Sequence, residues 1–199
     1  MADLEKTGKN LEGRGFRVHR FASGAEAAEF LVQTLHGTSI GIGGSVTIDT
    51  LGVYDRLCGS NEVFWHWKNH APETRERAGK AETYLCSANG VSENGEIVNI
   101  DGFGNRVAGT IYGPERVFLV VGRNKIAPDL TGAIDRARNI AAPLNARRLN
   151  RHTPCAEGEP RCHDCRSPEK VCGVMTVFFM PPTSIKEFHV ILVDEDLGY

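Results

Sequence analysis

Four of the six cysteines in this 199-residue chain, Cys155, Cys162, Cys165 and Cys172, lie in one stretch with the spacing C-x6-C-x2-C-x6-C. The central Cys162-His-Asp-Cys165 lets two thiolates reach one metal ion. The flanking pair can fold back through Gly158, Pro160 and Pro168 to complete a tetrahedral set. A closed shell of four thiolates suits structural zinc or an iron–sulfur cluster. The spacing matches neither common ferredoxin run, so the choice between the two stays open. Two plainer readings stand beside it: buried thiols with a chance CxxC, or a metal-free redox pair. His152 and His163 are available as ligands, though four thiolates make them unnecessary. Cys58 and Cys86 stand alone beside apolar residues and read as core thiols.

Two further stretches carry polar chemistry. Ile40-Gly-Ile-Gly-Gly-Ser-Val-Thr47 joins a buried strand to a helix. Gly43 and Gly44 allow a tight turn, the helix-start amides point outward, and Ser45 and Thr47 add hydroxyls, a set suited to phosphate, carboxylate or sulfate. It is neither a Walker A sequence nor a full dinucleotide fingerprint, and a simple helix cap explains it equally well. The second stretch, Ser87 to Ala108, gathers Asn89, Asn99, Asp101, Asn105 and Arg106 among glycines. These groups could hold a hydroxylated or carboxylated small molecule, with Arg106 as a carboxylate fork. Asn and Asp also favour turns for local reasons.

Should the chain be an enzyme, the catalytic candidates are Glu93, Asp101 and Lys125. Lys125 follows a strong strand and could meet a carboxylate or phosphate, while Glu93 flanks a turn and is a conceivable general acid or base. The plain alternatives are a surface lysine and an exposed turn carboxylate. His66 and His70 have helical spacing but sit in a strand-then-loop sequence, which argues against a metal pair. Arg136, Arg138, Arg147, Arg148 and Arg151 read first as a solvated helix face, although their position before the cysteines also allows anion binding. No hydrolase triad or H-E-x-x-H motif is present.

The elements that must position these groups alternate strand and helix. Strands are expected at Phe16–Phe21, Thr38–Gly43, Val63–His66, Thr83–Cys86 and Val117–Val121, with a final pair at Val174–Met180 and Glu187–Val193. Helices are expected from Ser23, whose capping box uses Glu26, over Thr47–Leu57, over Pro72–Ala81, and from Thr131 towards Leu149 with a break at Pro143. Glu93-Asn-Gly-Glu96 reads as a hairpin with positive φ at both central residues. Residues 1–15 form a helical lead-in, and 153–173 the cysteine-rich loop of a single α/β domain. The pattern predicts a three-layer, mainly parallel sheet with helices on both faces and a mixed edge formed by the last two strands.

Hydrophobic residues make up 41% of the chain and the net charge is −2, an ordinary globular composition without the positive field that gathers nucleic acid or anionic membrane. No apolar run approaches a membrane span. The start carries no apolar signal region, so a reducing cytoplasm is expected, with the cysteines unpaired.

Taken together, Gly41-Ile-Gly-Gly-Ser-Val-Thr47, the Ser87–Ala108 stretch, Val121-Gly-Arg-Asn-Lys-Ile126, Arg138-Asn-Ile-Ala-Ala-Pro-Leu-Asn-Ala-Arg-Arg-Leu149 and Val193-Asp-Glu-Asp-Leu-Gly-Tyr199 resemble one family, from about Phe16 to Tyr199. It is the lactate-utilisation (LUD) domain, in a stand-alone, four-cysteine form. The resemblance implies a fold like that of ribose-5-phosphate isomerase, glucosamine-6-phosphate deaminase and the CoA transferases, whose loops after the strands bind anionic sugars or CoA thioesters. Gly43, Gly44, Ser45 and Thr47 would occupy such a loop. It also implies a link to an iron–sulfur complex that oxidises lactate to pyruvate, whose other subunits would be partners. The ferredoxin-like cysteine runs of the larger LUD subunits are missing here.

Three readings follow. The first is a protein of lactate or related organic-acid metabolism that binds a small anionic metabolite and carries zinc or Fe–S on the cysteines, with electron transfer in a multi-subunit complex if the group is Fe–S. The second is a non-catalytic, metal-stabilised binding or regulatory subunit. The third, by fold analogy alone, is a sugar-phosphate or CoA-type enzyme.

Overall fold

The structure is a computed structural model and describes residues 3–199. Helix α1 (Leu4–Gly13) is capped by Asp3, whose carboxylate accepts the Lys6 N–H; residues 1 and 2 of the expected lead-in lie outside the described residues. Strand β1 (Arg17–Phe21) runs into α2 (Gly24–Thr34), where Ser23 accepts the Glu26 N–H and the Glu26 carboxylate accepts the Ala22 N–H. After β2 (Ser39–Ile42) the single helix expected over 47–57 is instead two, α3 (Val46–Thr50) and α4 (Tyr54–Cys58), parted by a turn at Gly52. Cys58 at the end of α4 is exposed, not a core thiol: apolar sequence neighbours on a one-and-a-half-turn helix point elsewhere. Next come β3 (Glu62–Trp65), α5 (Thr74–Gly79), shorter than expected and starting beyond Pro72, and β4 (Thr83–Ser87).

Strands β5 (Gly90–Ser92) and β6 (Ile97–Asp101) pair antiparallel as the expected hairpin. Its turn differs. The Gly95 N–H donates to the Ser92 carbonyl at 2.9 Å, and only Gly95, with φ of +91°, is left-handed. The loop is one residue longer than a two-residue primed turn, so the non-glycine Asn94 need not adopt positive φ. Then follow α6 (Asn105–Ile111), β7 (Arg116–Gly122), a tight turn over Arg123–Lys125 and the two-residue β8 (Ile126–Ala127).

Helix α7 (Leu130–Arg136) continues through a π-helical segment (Ala137–Ala141) into α8 (Ala142–Arg148). The break therefore falls just before Pro143, not at it. Proline has no N–H to return to the carbonyl four residues back, and the wider turn removes that demand by bonding the Ala142 N–H to the Ala137 carbonyl. A short α9 (Pro154–Glu157) opens the cysteine loop, and β9 (Val174–Phe178) and β10 (Glu187–Val193) follow it.

The main sheet has the order β1-β10-β7-β4-β2-β3, with every neighbouring pair parallel. The expected mixed edge does not form. β10 inserts between β1 and β7, while β9 leaves for a second sheet, β8-β5-β6-β9, where it pairs antiparallel with β6. Strand alternation builds two cores. Phe118, Val120, Ile191 and Val193 face α2, α3 and α4. Val117, Leu119, Val121, Val190 and Leu192 face α1 and the small sheet. Each such side chain, once fully buried, contributes about 1.5–3 kcal/mol. The expectation of a three-layer α/β sheet with helices on both faces holds. No helix among the described residues is long and apolar enough to cross a membrane.

Candidate functional site

In the main sheet the chain leaves β2 outward to β3 and leaves β4 in the opposite direction, to β7. A crevice therefore opens between the carboxyl ends of β2 and β4, the place where open α/β sheets bind ligands. A cleft of about 880 Å³ occupies it, lined by the loops after β2, β3, β4, β6 and β7, by α8, and by the segment 168–171 of the cysteine loop.

Lys125 forms the floor. The turn after β7 brings it under both lips, where its Nζ donates to Thr47 Oγ1 at 2.7 Å, Ser87 Oγ at 2.8 Å and the Ala88 carbonyl at 3.3 Å. Only 2% of the residue is exposed, and no carboxylate pairs with it among the described residues. Burial holds its pKa well below the usual lysine range, and the nearby Arg136 and Arg106 push it further the same way. Arg136 itself is pushed down to about 10 by burial; its Nε donates to the Asn124 carbonyl at 2.7 Å.

The other residues singled out from the sequence divide. Gly43, Gly44, Ser45, Thr47, Asn89, Asn99, Asp101, Asn105 and Arg106 converge at the cleft or directly beneath it, but several are occupied in building it. Arg106 donates to the Ser87 carbonyl at 3.0 Å, Asn99 Oδ1 at 2.7 Å, Asn89 Oδ1 at 2.6 Å and the Ile100 carbonyl at 2.5 Å, clamping β4, β6 and the link between them. Asp101 accepts the Phe103, Arg106 and Val107 N–H groups and caps α6. Asn89 also accepts the Ile100 N–H at 2.9 Å. Asn99 is fully buried, and its Nδ2 has no partner among the described residues. Ser45 caps α3 through the Ile48 N–H, and the Thr47 hydroxyl donates to the Leu197 carbonyl at 3.1 Å. The Asn105 carbonyl accepts the Tyr84 hydroxyl at 3.2 Å. Glu93 is not part of the cleft: it receives Lys6 Nζ at 2.9 Å and the Asp3 N–H at 3.2 Å on α1, and the Lys6 bond lowers its pKa.

Of the residues at the rim, Arg148 and Arg151 were singled out from the sequence as a basic stretch open to anion binding and His66 and His70 as a spaced pair, while Trp67, Arg75 and Lys170 went unnoticed. Arg148 lies 4.5 Å over the Trp67 ring and is steadied by Asn145 Oδ1 at 2.8 Å and the Tyr199 hydroxyl at 2.8 Å. Tyr199 arrives because Asn124 holds the chain at Leu197 and Gly198 against the end of β7. Arg75, His66, His70, Arg151 and Lys170 complete the rim. Burial lowers the pKa of His66.

The four loop cysteines are free and partly buried. The Arg138 guanidinium donates to Cys162 Sγ at 3.3 Å, and the Asn139 side chain accepts the Cys162 N–H at 2.8 Å. Burial pushes the Cys172 thiol up, and Cys162, Cys165 and Cys155 are near enough to add to the effect. The donor set suits zinc or an Fe–S cluster. Among the described residues, however, no three His, Cys, Asp or Glu side chains are drawn together as an ion site. Cys86 is a core thiol, raised to about 12 by burial.

An open parallel sheet with a cationic cleft across its carboxyl edge defines the class of α/β protein. Within it, the chain belongs to the LUD domain family, a family linked to lactate utilisation; the family model, described as LUD domain, matches residues 4–193. A solved structure of a DUF162 family protein from Deinococcus radiodurans, determined at 1.70 Å, has a similar fold, with TM-score 0.56 and 14% sequence identity over 96% of this chain and 95% of that one. No curated protein matches the chain.

Proposed function

We propose that this LUD-domain protein binds a small anionic metabolite of organic-acid metabolism in the strand-end cleft, above Lys125. One observation carries the reading: seven Lys and Arg side chains line the cleft against three Asp and Glu, in a chain whose net charge is −2. Positive charge concentrated in one crevice of an acidic molecule raises the local concentration of anions and stabilises them once bound. Thr47, Ser87 and Asn89 supply the surrounding hydroxyl and amide groups. Isothermal titration with lactate, pyruvate, glycerate and inorganic phosphate tests it. Saturable binding is expected for at least one of them, weakened about tenfold or more in Lys125→Met. Failure of all four to bind, and of 3-phosphoglycerate as the phosphorylated counterpart of glycerate, overturns the reading.

The cysteine loop carries a second reading, favoured by four free, partly buried thiols within 18 residues of one loop and by the Arg138 cation against Cys162. Cys155, Cys162, Cys165 and Cys172 would hold zinc or an Fe–S cluster; when bound, zinc would staple the loop and a cluster would carry electrons to partner subunits. Metal and acid-labile sulfide analysis of anaerobically purified protein tests this. About one zinc per chain, or iron with matching sulfide, is expected, and its loss in Cys162→Ser with Cys165→Ser. Metal-free wild-type protein contradicts it.

A further inference from the structure

We propose that the ligand of the cleft is a phosphorylated hydroxy acid, with its phosphate at a rim made by Arg75, Arg148, Arg151 and Lys170 and its carboxylate directed towards Lys125. The proposal rests on the anion-binding reading above and names the ligand class.

The argument begins with the distribution of unpaired cations. Of the 23 Lys and Arg residues, 14 make an ion pair with a carboxylate among the described residues. Six of the remaining nine line this one cleft. Two of the six, Lys125 and Arg106, sit low and are hydrogen-bonded to neutral protein groups. The other four stand at the rim and come from separate segments, α5, the end of α8 with the residues after it, and the cysteine loop. Three carboxylates share the cleft, but Asp49 is paired with Lys68, Asp101 accepts backbone N–H groups at the start of α6, and Glu169 accepts the His152 N–H. The rim cations therefore repel one another unless an anion joins them.

The chemistry of that anion follows from number and geometry. A phosphate monoester carries about −1.5 to −2 charges near neutral pH and offers three acceptor oxygens. Three guanidinium groups and an ammonium match that charge and acceptor count better than they match a carboxylate. Arg148 is already oriented by stacking on Trp67 and by Asn145 and Tyr199, which reduces the ordering cost of a bidentate contact. Size agrees: 880 Å³ falls in the upper part of the ~300–1,000 Å³ range of small-molecule sites, and a bare three-carbon acid would fill a corner of it. The Lys125 amine at the floor suits the carboxylate end, because its longest bond, to the Ala88 carbonyl at 3.3 Å, can be exchanged for one to a carboxylate oxygen while Thr47 and Ser87 hold it in place.

Glycerate and 3-phosphoglycerate differ only by the phosphate, and calorimetric titration of both tests the proposal. The phosphorylated acid is expected to bind at least about tenfold tighter. In Arg151→Gln with Lys170→Gln that advantage is expected to shrink to about twofold, because the phosphorylated acid loses far more affinity than glycerate does. Arg148→Gln is a second variant with the same expected direction, and thermal melts confirm that each protein is folded. Equal binding of the two acids, or an undiminished advantage in both rim variants, overturns the proposal while leaving the anion-binding reading intact. Absence of binding by either acid, with lactate, pyruvate and inorganic phosphate also inert, overturns both.

Discussion

Lys125 is the residue on which the account turns, because a buried amine without a carboxylate is poised to change charge. Its pKa is held well below 10.5 by burial. Between the lowered value and 10.5 the unfolded chain keeps a proton that the folded chain has released, so stability rises with pH across that window. Urea midpoints measured from pH 7 to 10 are expected to climb in the wild type and to climb less in Lys125→Met; equal slopes would show that the amine titrates normally. A bound anion favours the protonated amine, so at pH above the lowered value ligand binding should take up protons, seen as a binding enthalpy that depends on the buffer's ionisation heat. His19 and His189 act at the acid end. Burial lowers both, and His19 Nε2 and His189 Nδ1 lie 2.9 Å apart against Phe118. Below 6.5 the unfolded histidines take protons that the folded ones resist. Stability should therefore fall as pH drops from 7 towards 5, and fall less in His19→Asn.

At the scale of elements, closeness of packing decides what holds the site. Gly41 in β2 lies under the Ala78 carbonyl of α5, and a Cβ there would overlap that backbone oxygen. Gly41→Ala is expected to cost about 1–3 kcal/mol in urea denaturation; a neutral result would mean that α5 can move away. Strand positions were legible in the sequence because alternation and β-branched runs are local signals, and the Ser23 cap and the strand at Val117–Val121 were read correctly for that reason. The partner of a strand is not a local property. Nothing in Val174–Phe178 states that it pairs with β6 rather than β10, so the edge was misjudged. The π-helical segment was half legible. Pro143 announced a disturbance, but its form depends on keeping Arg138 and Asn139 on the cysteine loop while Asn145 and Arg148 face the cleft.

For the whole molecule, the net charge of −2 conceals a strongly cationic crevice. The Gly43–Thr47 and Asn89–Arg106 groups were visible as chemistry in the sequence. Arg106 and Asp101, expected there as ligand groups, line the cleft and are also bonded to backbone and side chains that shape it. Arg75, Trp67 and Lys170 were invisible, since only the folding of distant segments onto one sheet edge brings them together. An electrostatic site of this kind is sensitive to screening, whose range falls from about 10 Å at ~0.1 M salt to about 3 Å at ~1 M. Affinity for 3-phosphoglycerate should fall about tenfold or more over that range, and by less for glycerate; salt-independent binding would point to a site elsewhere. The most direct measurement is a crystal structure of the protein with 3-phosphoglycerate bound. The account predicts its carboxylate near Lys125, Thr47 and Ser87 and its phosphate among Arg148, Arg151 and Lys170. An acid bound outside the strand-end cleft, or a cleft left empty at a concentration that saturates binding in solution, would contradict it.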